Sequence, residues 1–438
     1  MTDYPQPGDE ERQIGLECFF TDTPGTGGVL KRFPEDFIVE ELSDLPLKVD
    51  NGPYTIARIK VTNWETNRLI RAMSKNLGVS RYKIKFAGTK DKRAITTQLF
   101  SFGHPMDKVL SLNLADFEIV DAYTSNREIE LGNLLGNHFN IRVREVQLDE
   151  TDARERIDGC IGQMVSEGGF PNYFGIQRFG AVRAITHLVG KHIVHGDLEK
   201  AVMTYVGNPL KGESEEVFMA RERLQKERDF EEAVTYYPSK YIFERSMIHH
   251  LKRKPDDWAG ALDILPDNLK MMFVHAYQSF IFNKILSKRI SSGLALSEPM
   301  IGDLVLPMNK KGLPDHHEPV EVTSDNLDHL SELVRKRKGY ISGAIIGIDG
   351  PIAGGEMGEI ERSIIEKEGV ELGDFEISEV SRVSSRGMRR EILAPVFDLK
   401  WRLTEDDGIT PQFDFSLFRG TYATSFMREI MKGNVLDY

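Results

Sequence analysis

The segment Arg81-Tyr-Lys-Ile-Lys-Phe-Ala-Gly-Thr-Lys-Asp-Lys-Arg93 places one carboxylate, Asp91, inside a dense cluster of cations. Between Arg68 and Arg93 there are nine Lys or Arg and no other acid, a local charge of +8 in a chain whose net charge is -12. A basic field confined to one stretch of an acidic protein points to a polyanion site, with Arg81, Lys83, Lys85, Lys90, Lys92 and Arg93 as candidate phosphate contacts. A carboxylate among such charges stays ionised, and in that state it can attack an electrophilic carbon. The competing reading is a plain turn, because Gly, Lys and Asp are common turn residues. The cation density and the position of the loop between strand-like segments favour a site.

A second cluster, Asn172-Tyr-Phe-Gly-Ile-Gln-Arg-Phe-Gly180, mixes aromatics with amides and an arginine. Its aromatics could simply be core. In the functional reading, an aromatic face stacks on an unstacked base, Asn172 reads the base edge and Arg178 meets a phosphate or an acid. No phosphate-binding G-x-x-x-x-G-K-[ST] loop, no strand-following G-x-G-x-x-G, no Cys-x-x-Cys and no His-x-x-x-His with a nearby acid is present. His249-His250 and His316-His317 are adjacent pairs that diverge on any regular element, so they read as surface residues. The chemistry expected is therefore free of cofactor and metal.

These residues need a frame. Phe37–Glu40, Tyr54–Val61, Ala94–Phe102 and Asn137–Arg144 have strand character. Thr62 or Asn63 could cap a helix with Leu69, Ile70, Met73 and Leu77 on its apolar face, closed by Gly78. A further helix starts at Thr151 with Ile157, Ile161, Met164 and Val165 on one side. Past about residue 185 the pattern turns to long amphipathic helices, such as Glu215–Val234 and Leu269–Ile290, and to a Gly-rich segment, Gly347–Gly355. Basic and strand-like character returns after about 380. A discontinuous domain, 1–184 with 381–438, carrying an insertion at 185–380, accounts for this order.

The chain of 438 residues is 40% hydrophobic and 28% charged, ordinary for a globular protein of two or three domains. No apolar run reaches the roughly 18 residues that span a bilayer, and the polar start, Met1–Arg12, lacks the layout of a signal peptide. Two unmotified cysteines, Cys18 and Cys160, fit a reducing cytosol. The expected location is the cytoplasm, and nothing demands more than a monomer.

Four motifs together carry a family resemblance: Leu30–Glu41 (LKRFPEDFIVEE), Phe86–Ala94 (FAGTKDKRA), Pro171–Gly180 (PNYFGIQRFG) and Phe415–Glu429 (FSLFRGTYATSFMRE). In this order the sequence resembles the TruD-type tRNA pseudouridine synthases, archaeal-like in its long insertion. The resemblance implies an α+β fold: a mixed, largely antiparallel sheet with flanking helices, interrupted by an inserted α/β domain that binds RNA. It implies isomerisation of uridine, at position 13 of tRNA, with tRNA as the partner. It also implies that Asp91 is the catalytic aspartate, that Lys31 pairs with it, and that Phe37, Asn172, Phe174 and Phe415 line the uridine pocket. Leu417-Phe-Arg-Gly420 departs from the usual Leu-Pro-x-Gly, which leaves open whether Phe415 or Phe418 faces the base. Two rivals are a non-catalytic RNA-binding protein or chaperone, which would not need Asp91, and an RNA methyltransferase, for which Gly347–Gly358 is the candidate nucleotide loop.

Overall fold

The computed structural model describes residues 5–90, 92–180, 183–406, 408–434 and 437–438; Asp91 lies outside them. Two compact units emerge, one of Met1–Pro5, Thr21–Phe170 and Ala394–Tyr438, the other of Gln6–Phe20 and Pro171–Leu393. The breaks at 170/171 and 393/394 differ from those read at 184/185 and 380/381. Composition changes where the helices begin, but the backbone commits earlier. Asn172 N–H donates to the Ile392 carbonyl at 2.9 Å, and Phe174 N–H donates to Asn283 Oδ1 at 2.9 Å. Asn283 Nδ2 in turn donates to the carbonyls of Phe174 and Ile14, which binds both outlying segments into the second unit.

The first unit is built on an eight-stranded sheet. Its strands are β1 (Phe37–Ser43), β2 (Tyr54–Thr62), β3 (Ile84–Phe86), β4 (Ile95–Phe102), β5 (Phe117–Ser125), β6 (Leu134–Arg142), β7 (Phe397–Glu405) and β8 (Ile409–Phe418). Their spatial order is β7-β8-β6-β1-β4-β2-β5, with β3 beside β4. Only the β1–β4 pair is parallel; the others run antiparallel. Alternate residues of β1 are buried, as a half-buried pleat requires, whereas β4 is buried along nearly its whole length. Against β2 and β4 lies the helix Thr66–Leu77, whose Leu69, Ile70 and Met73 join Ile59, Val61, Phe100 and Phe102 in one core. Gly78 closes it in the left-handed region, φ 64°. Its N-cap is Glu65, not Thr62 or Asn63: the carboxylate accepts from the N–H groups of Asn67 at 2.9 Å and Arg68 at 2.8 Å. The helix Glu150–Ser166 likewise starts one residue before Thr151, capped by Asp149. It buries Ile157, Cys160 and Met164, while Val165 is 61% exposed, because one residue beyond Met164 turns about 100° off the apolar stripe.

In the second unit a four-stranded antiparallel sheet, in the order Met388–Glu391, Gly339–Ile345, Leu304–Pro307 and Val320–Glu321, is accompanied by helices. The helix Asp267–Ser291 is central to its core, with Phe273, Tyr277, Ile281 and Ile285 buried. The expected single helix over Glu215–Val234 is two, Glu215–Glu227 and Phe230–Tyr236. Arg228 turns to φ 54° between them, and Asp229 caps the second through the N–H groups of Glu231 and Glu232.

Candidate active site

Residues paired across strands share a sheet face. The register puts Phe37, Val39 and Glu41 of β1, Ile141, Phe139 and Asn137 of β6, and Phe413, Phe415 and Leu417 of β8 on one face of the first unit. An aromatic ladder runs across it. Phe37 meets Phe139 edge-on at 6.1 Å, Phe139 stacks on Phe415 at 5.5 Å, and Phe415 meets Phe426 of the helix Ala423–Met431 at 4.7 Å. Lys31, at φ 55°, holds its ammonium 4.3 Å from the centre of the Phe37 ring, a cation–π contact. Phe37 is 1% exposed and Phe415 0%, so neither presents an open face in this structure; Phe418 is half-buried, 4.8 Å from Phe397.

The loop from β3 to β4 approaches the same face. Asp91 itself falls outside the described residues. Its neighbour Lys90 turns inward, with Nζ 3.0 Å from Glu41 Oε2 and the two side chains 3% and 0% exposed. That corrects Lys90 as a phosphate contact: an ammonium buried against a carboxylate is not offered to RNA. Arg81, Lys83, Lys85, Lys92 and Arg93 are exposed, and among the described residues they pair with no carboxylate. Arg68, Arg71 and Lys75 extend this cationic surface along the helix Thr66–Leu77.

Two residues of this face escape the sequence reading. Asn137 stands directly across from Glu41, half-buried, with Oδ1 shielded from solvent and without a hydrogen-bond partner among the described residues. Phe139 bridges Phe37 and Phe415. The available signal is the alternation of Asn137-His-Phe-Asn-Ile141, which by itself marks only a strand with one basic face.

Asn172 and Phe174 belong to the second unit. Asn172 is fully buried and its amide is used internally: Nδ2 donates to the Glu391 carbonyl and to Glu391 Oε1, both at 3.0 Å, and Oδ1 accepts from Arg390 at 2.7 Å. Reading a base edge is therefore not open to it in this arrangement. Phe174 is 8% exposed beneath the Arg390 guanidinium, 4.2 Å from its ring centre. Arg178 donates to Ser279 at 3.0 Å. Of the histidines read as surface residues, His249 and His317 are exposed, while His250 and His316 are half-buried and bonded. His316 hydrogen-bonds buried Glu391 at 2.9 Å, and His250 bonds Asp257 at 2.8 Å. Burial pushes the Glu391 carboxyl up, but His316 and Arg390 outweigh it and hold the group below the ordinary carboxylate range.

The Gly-rich segment does lead into a helix, Gly355–Glu368, which the sequence pattern does not announce. Its glycines serve backbone packing: a Cβ on Gly347 would lie 2.2 Å from the Gly387 nitrogen, and one on Gly355 2.3 Å from the Ile301 carbonyl. The N–H groups of Ala344 and Ala353 are taken by buried Glu361. Among the described residues no group of three or more His, Cys, Asp or Glu could hold a metal ion, and no helix is long and apolar enough to cross a membrane.

A family profile described as tRNA pseudouridine synthase D (TruD) matches residues 13–430. The chain belongs to the TruD family. Relatives named "Probable tRNA pseudouridine synthase D" include one from Methanococcoides burtonii, 42% identical over 96% of this chain and 97% of its own. Another, from Methanosarcina barkeri, is 39% identical over 98% of each. The crystal structure of a TruD protein from Methanosarcina mazei superposes with a TM-score of 0.87 at 38% identity, over 99% of this chain and all of that one. The TruD fold, a mixed and mostly antiparallel sheet with flanking helices, is thus the fold of this chain.

Proposed function

We propose that this chain isomerises uridine to pseudouridine in tRNA, at position 13, with Asp91 as the catalytic carboxylate and no cofactor. The carrying observation is the convergence on one sheet face of the Lys31–Phe37 contact, the Phe139–Phe415 stack and the buried Lys90 adjoining Asp91, beside an exposed cationic surface. Family membership supports the same reading.

The target nucleotide must leave its stack, at a cost of a few kcal/mol. Exposed Arg81, Lys83, Lys85, Lys92 and Arg93 hold flanking phosphates and offset that cost. Asp91 then acts at the sugar or at the pyrimidine ring. The N1–C1′ bond breaks, the uracil turns, C5 bonds to C1′, and the C5 proton is released as N1 gains one. Nothing is oxidised or reduced, so no co-reactant is required. Lys31 orients Asp91 and keeps it ionised. Asn137 and Phe139 join Phe37 and Phe415 as candidates for contact with the base, with movement of the buried rings needed to admit it. Asn172 supports Phe174 in the second unit, which is assigned RNA binding together with Arg178. The protein acts in the cytoplasm as a monomer.

Mapping modified uridines in tRNA incubated with and without the protein tests the reading, with tritium release from C5-labelled uridine as the kinetic readout. Asp91→Asn is expected to abolish release while tRNA binding persists. An active Asn variant removes Asp91 from the mechanism.

A further inference from the structure

Residues 171–393 hold 34 acidic and 30 basic side chains, so an average surface drawn from them repels RNA. Six of the cations lie in two short runs, Lys310-Lys311 and Arg335-Lys-Arg-Lys338, and all six are exposed. The fold brings the runs together. The first follows the strand Leu304–Pro307, the second ends the helix Leu327–Arg335, and the Met308 N–H donates to the Lys338 carbonyl at 2.9 Å. The turn that carries Lys310 is held by its own side chain: Asn309 Oδ1 accepts from the N–H groups of Lys311 at 2.9 Å and Leu313 at 3.2 Å. Lys336 pairs with Glu332 of the same helix at 2.6 Å. Lys310, Arg335, Arg337 and Lys338 form no ion pair among the described residues.

Cations at a helix C-terminus complement its dipole, which accounts for one or two of them. It does not account for four in succession, because like charges repel. Nor do the last carbonyls of the helix lack partners. Arg337 N–H donates to the Val334 carbonyl at 2.9 Å and Lys338 N–H to that of Leu333 at 2.8 Å, the two main-chain bonds that close a helix. Arg337 stands where helices commonly end on glycine, at φ 56°. A residue with a Cβ takes that conformation at a cost. The Tyr340 hydroxyl donates to the Arg337 carbonyl at 3.1 Å and holds it there. The chain thus keeps a guanidinium at a position where glycine would be relaxed.

We infer that Lys310, Arg335, Arg337 and Lys338 form a phosphate-binding surface of the second unit that holds the tRNA backbone. The inference rests on the reading of tRNA as substrate and deepens it, by naming the side chains through which this unit takes the RNA. A guanidinium fork matches two phosphate oxygens at once, and the lysines add point charge. Tyr340, the aromatic residue nearest in sequence, is buried, so the surface offers charge without a stacking platform. Contacts of that kind fix the RNA in place and carry no base sequence. Their contribution is to affinity, not to the chemical step.

The test is the salt dependence of tRNA binding by the full chain, with unmodified transcript as the probe and thermal unfolding measured alongside. Arg337→Gly combined with Lys338→Gln removes two charges and relaxes the backbone. The expected result is a melting temperature equal to or above wild type, a Kd raised on the order of 10-fold at moderate salt, and a slope of log affinity against log salt shallower by about 1.4–1.8. In steady-state turnover the loss falls on KM and not on kcat, as removal of uniform binding requires. Lys226→Gln with Lys252→Gln, two cations already paired with Glu222 and Glu231, makes the same change in net charge elsewhere in the unit. An equal loss of slope in that pair overturns the inference, because tRNA would then be sensing net charge alone. An unchanged Kd in the Arg337 and Lys338 variant also overturns it, and loss of binding to phosphatidylglycerol vesicles instead would assign the cluster to a lipid surface. Should that variant unfold early, Lys310→Gln with Arg335→Gln decides, with the same slope expected. A wild-type chain that binds tRNA with the predicted slope but forms no pseudouridine removes the isomerase reading and leaves the phosphate surface standing.

Discussion

One buried imidazole contributes to how this protein responds to acid. His187, in the helix Thr186–Val194, stacks on Phe280 and meets Phe179 edge-on. Burial pushes its pKa down to about 4, against a smaller upward pull from the hydrogen bond with the Gln13 backbone. In the unfolded chain the imidazole titrates near 6.5, so between about 6.5 and 4 the unfolded state binds a proton that the folded state refuses. Stability therefore rises with pH through that window and falls on acidification. The difference of about 2.5 units corresponds to ~3 kcal/mol. Urea titrations at pH 7 and pH 4.5 are expected to show this loss in the wild-type chain, with His187→Phe flattening the difference. An equal pH dependence in the variant would assign the effect to other groups, such as Glu391, whose depressed pKa adds stability above the ordinary carboxylate range that is lost at lower pH.

Elements in the second unit approach closely where glycine permits. Gly190 lies on the helix Thr186–Val194, and a Cβ there would sit 1.9 Å from the Phe273 carbonyl of the helix Asp267–Ser291. That atom is backbone and cannot rotate away, so the helices must separate. Gly190→Ala is expected to lower unfolding free energy by about 3 kcal/mol, read as a drop in the urea midpoint with the slope unchanged. A midpoint within experimental error of wild type would mean that the two helices can slide apart freely. In the first unit the corresponding device is the Glu65 cap, whose carboxylate takes the first N–H groups of the helix carrying Arg68, Arg71 and Lys75. The same cap that starts the helix thus fixes the orientation of its cationic face.

At the scale of the whole molecule, a net charge of -12 coexists with the exposed cations Arg81, Lys83, Lys85, Lys92 and Arg93, which pair with no carboxylate among the described residues. The acidic remainder repels RNA, so binding must be concentrated where the basic field is. The slope of log affinity against log salt falls by about 0.7–0.9 for every phosphate that a variant leaves unneutralised. Arg81→Glu with Lys83→Glu is expected to weaken tRNA binding and flatten that slope by about 1.4–1.8, measured by filter binding between low and moderate salt. A slope equal to wild type would place the RNA on a different surface.

Local pattern alone determined much of this protein. β-branched and aromatic character located β1, β2 and β4, and alternation located β6; the 3.6-residue period and Gly78 located the helix Thr66–Leu77; and the run of charges marked 81–93. Those are properties of neighbouring residues, because strand and helix periods are written within a few positions. Other features depend on residues far apart in the chain. Lys90 reads as one more cation until Glu41 is brought to 3.0 Å from it. Asn172 reads as a base contact until Glu391 and Arg390 occupy its amide, and Asn137 and Phe139 become site candidates only when β1 and β8 flank β6. Burial in a low-dielectric interior decides whether a charge is offered to a ligand or consumed by the fold, and that burial exists only once the sheet is assembled.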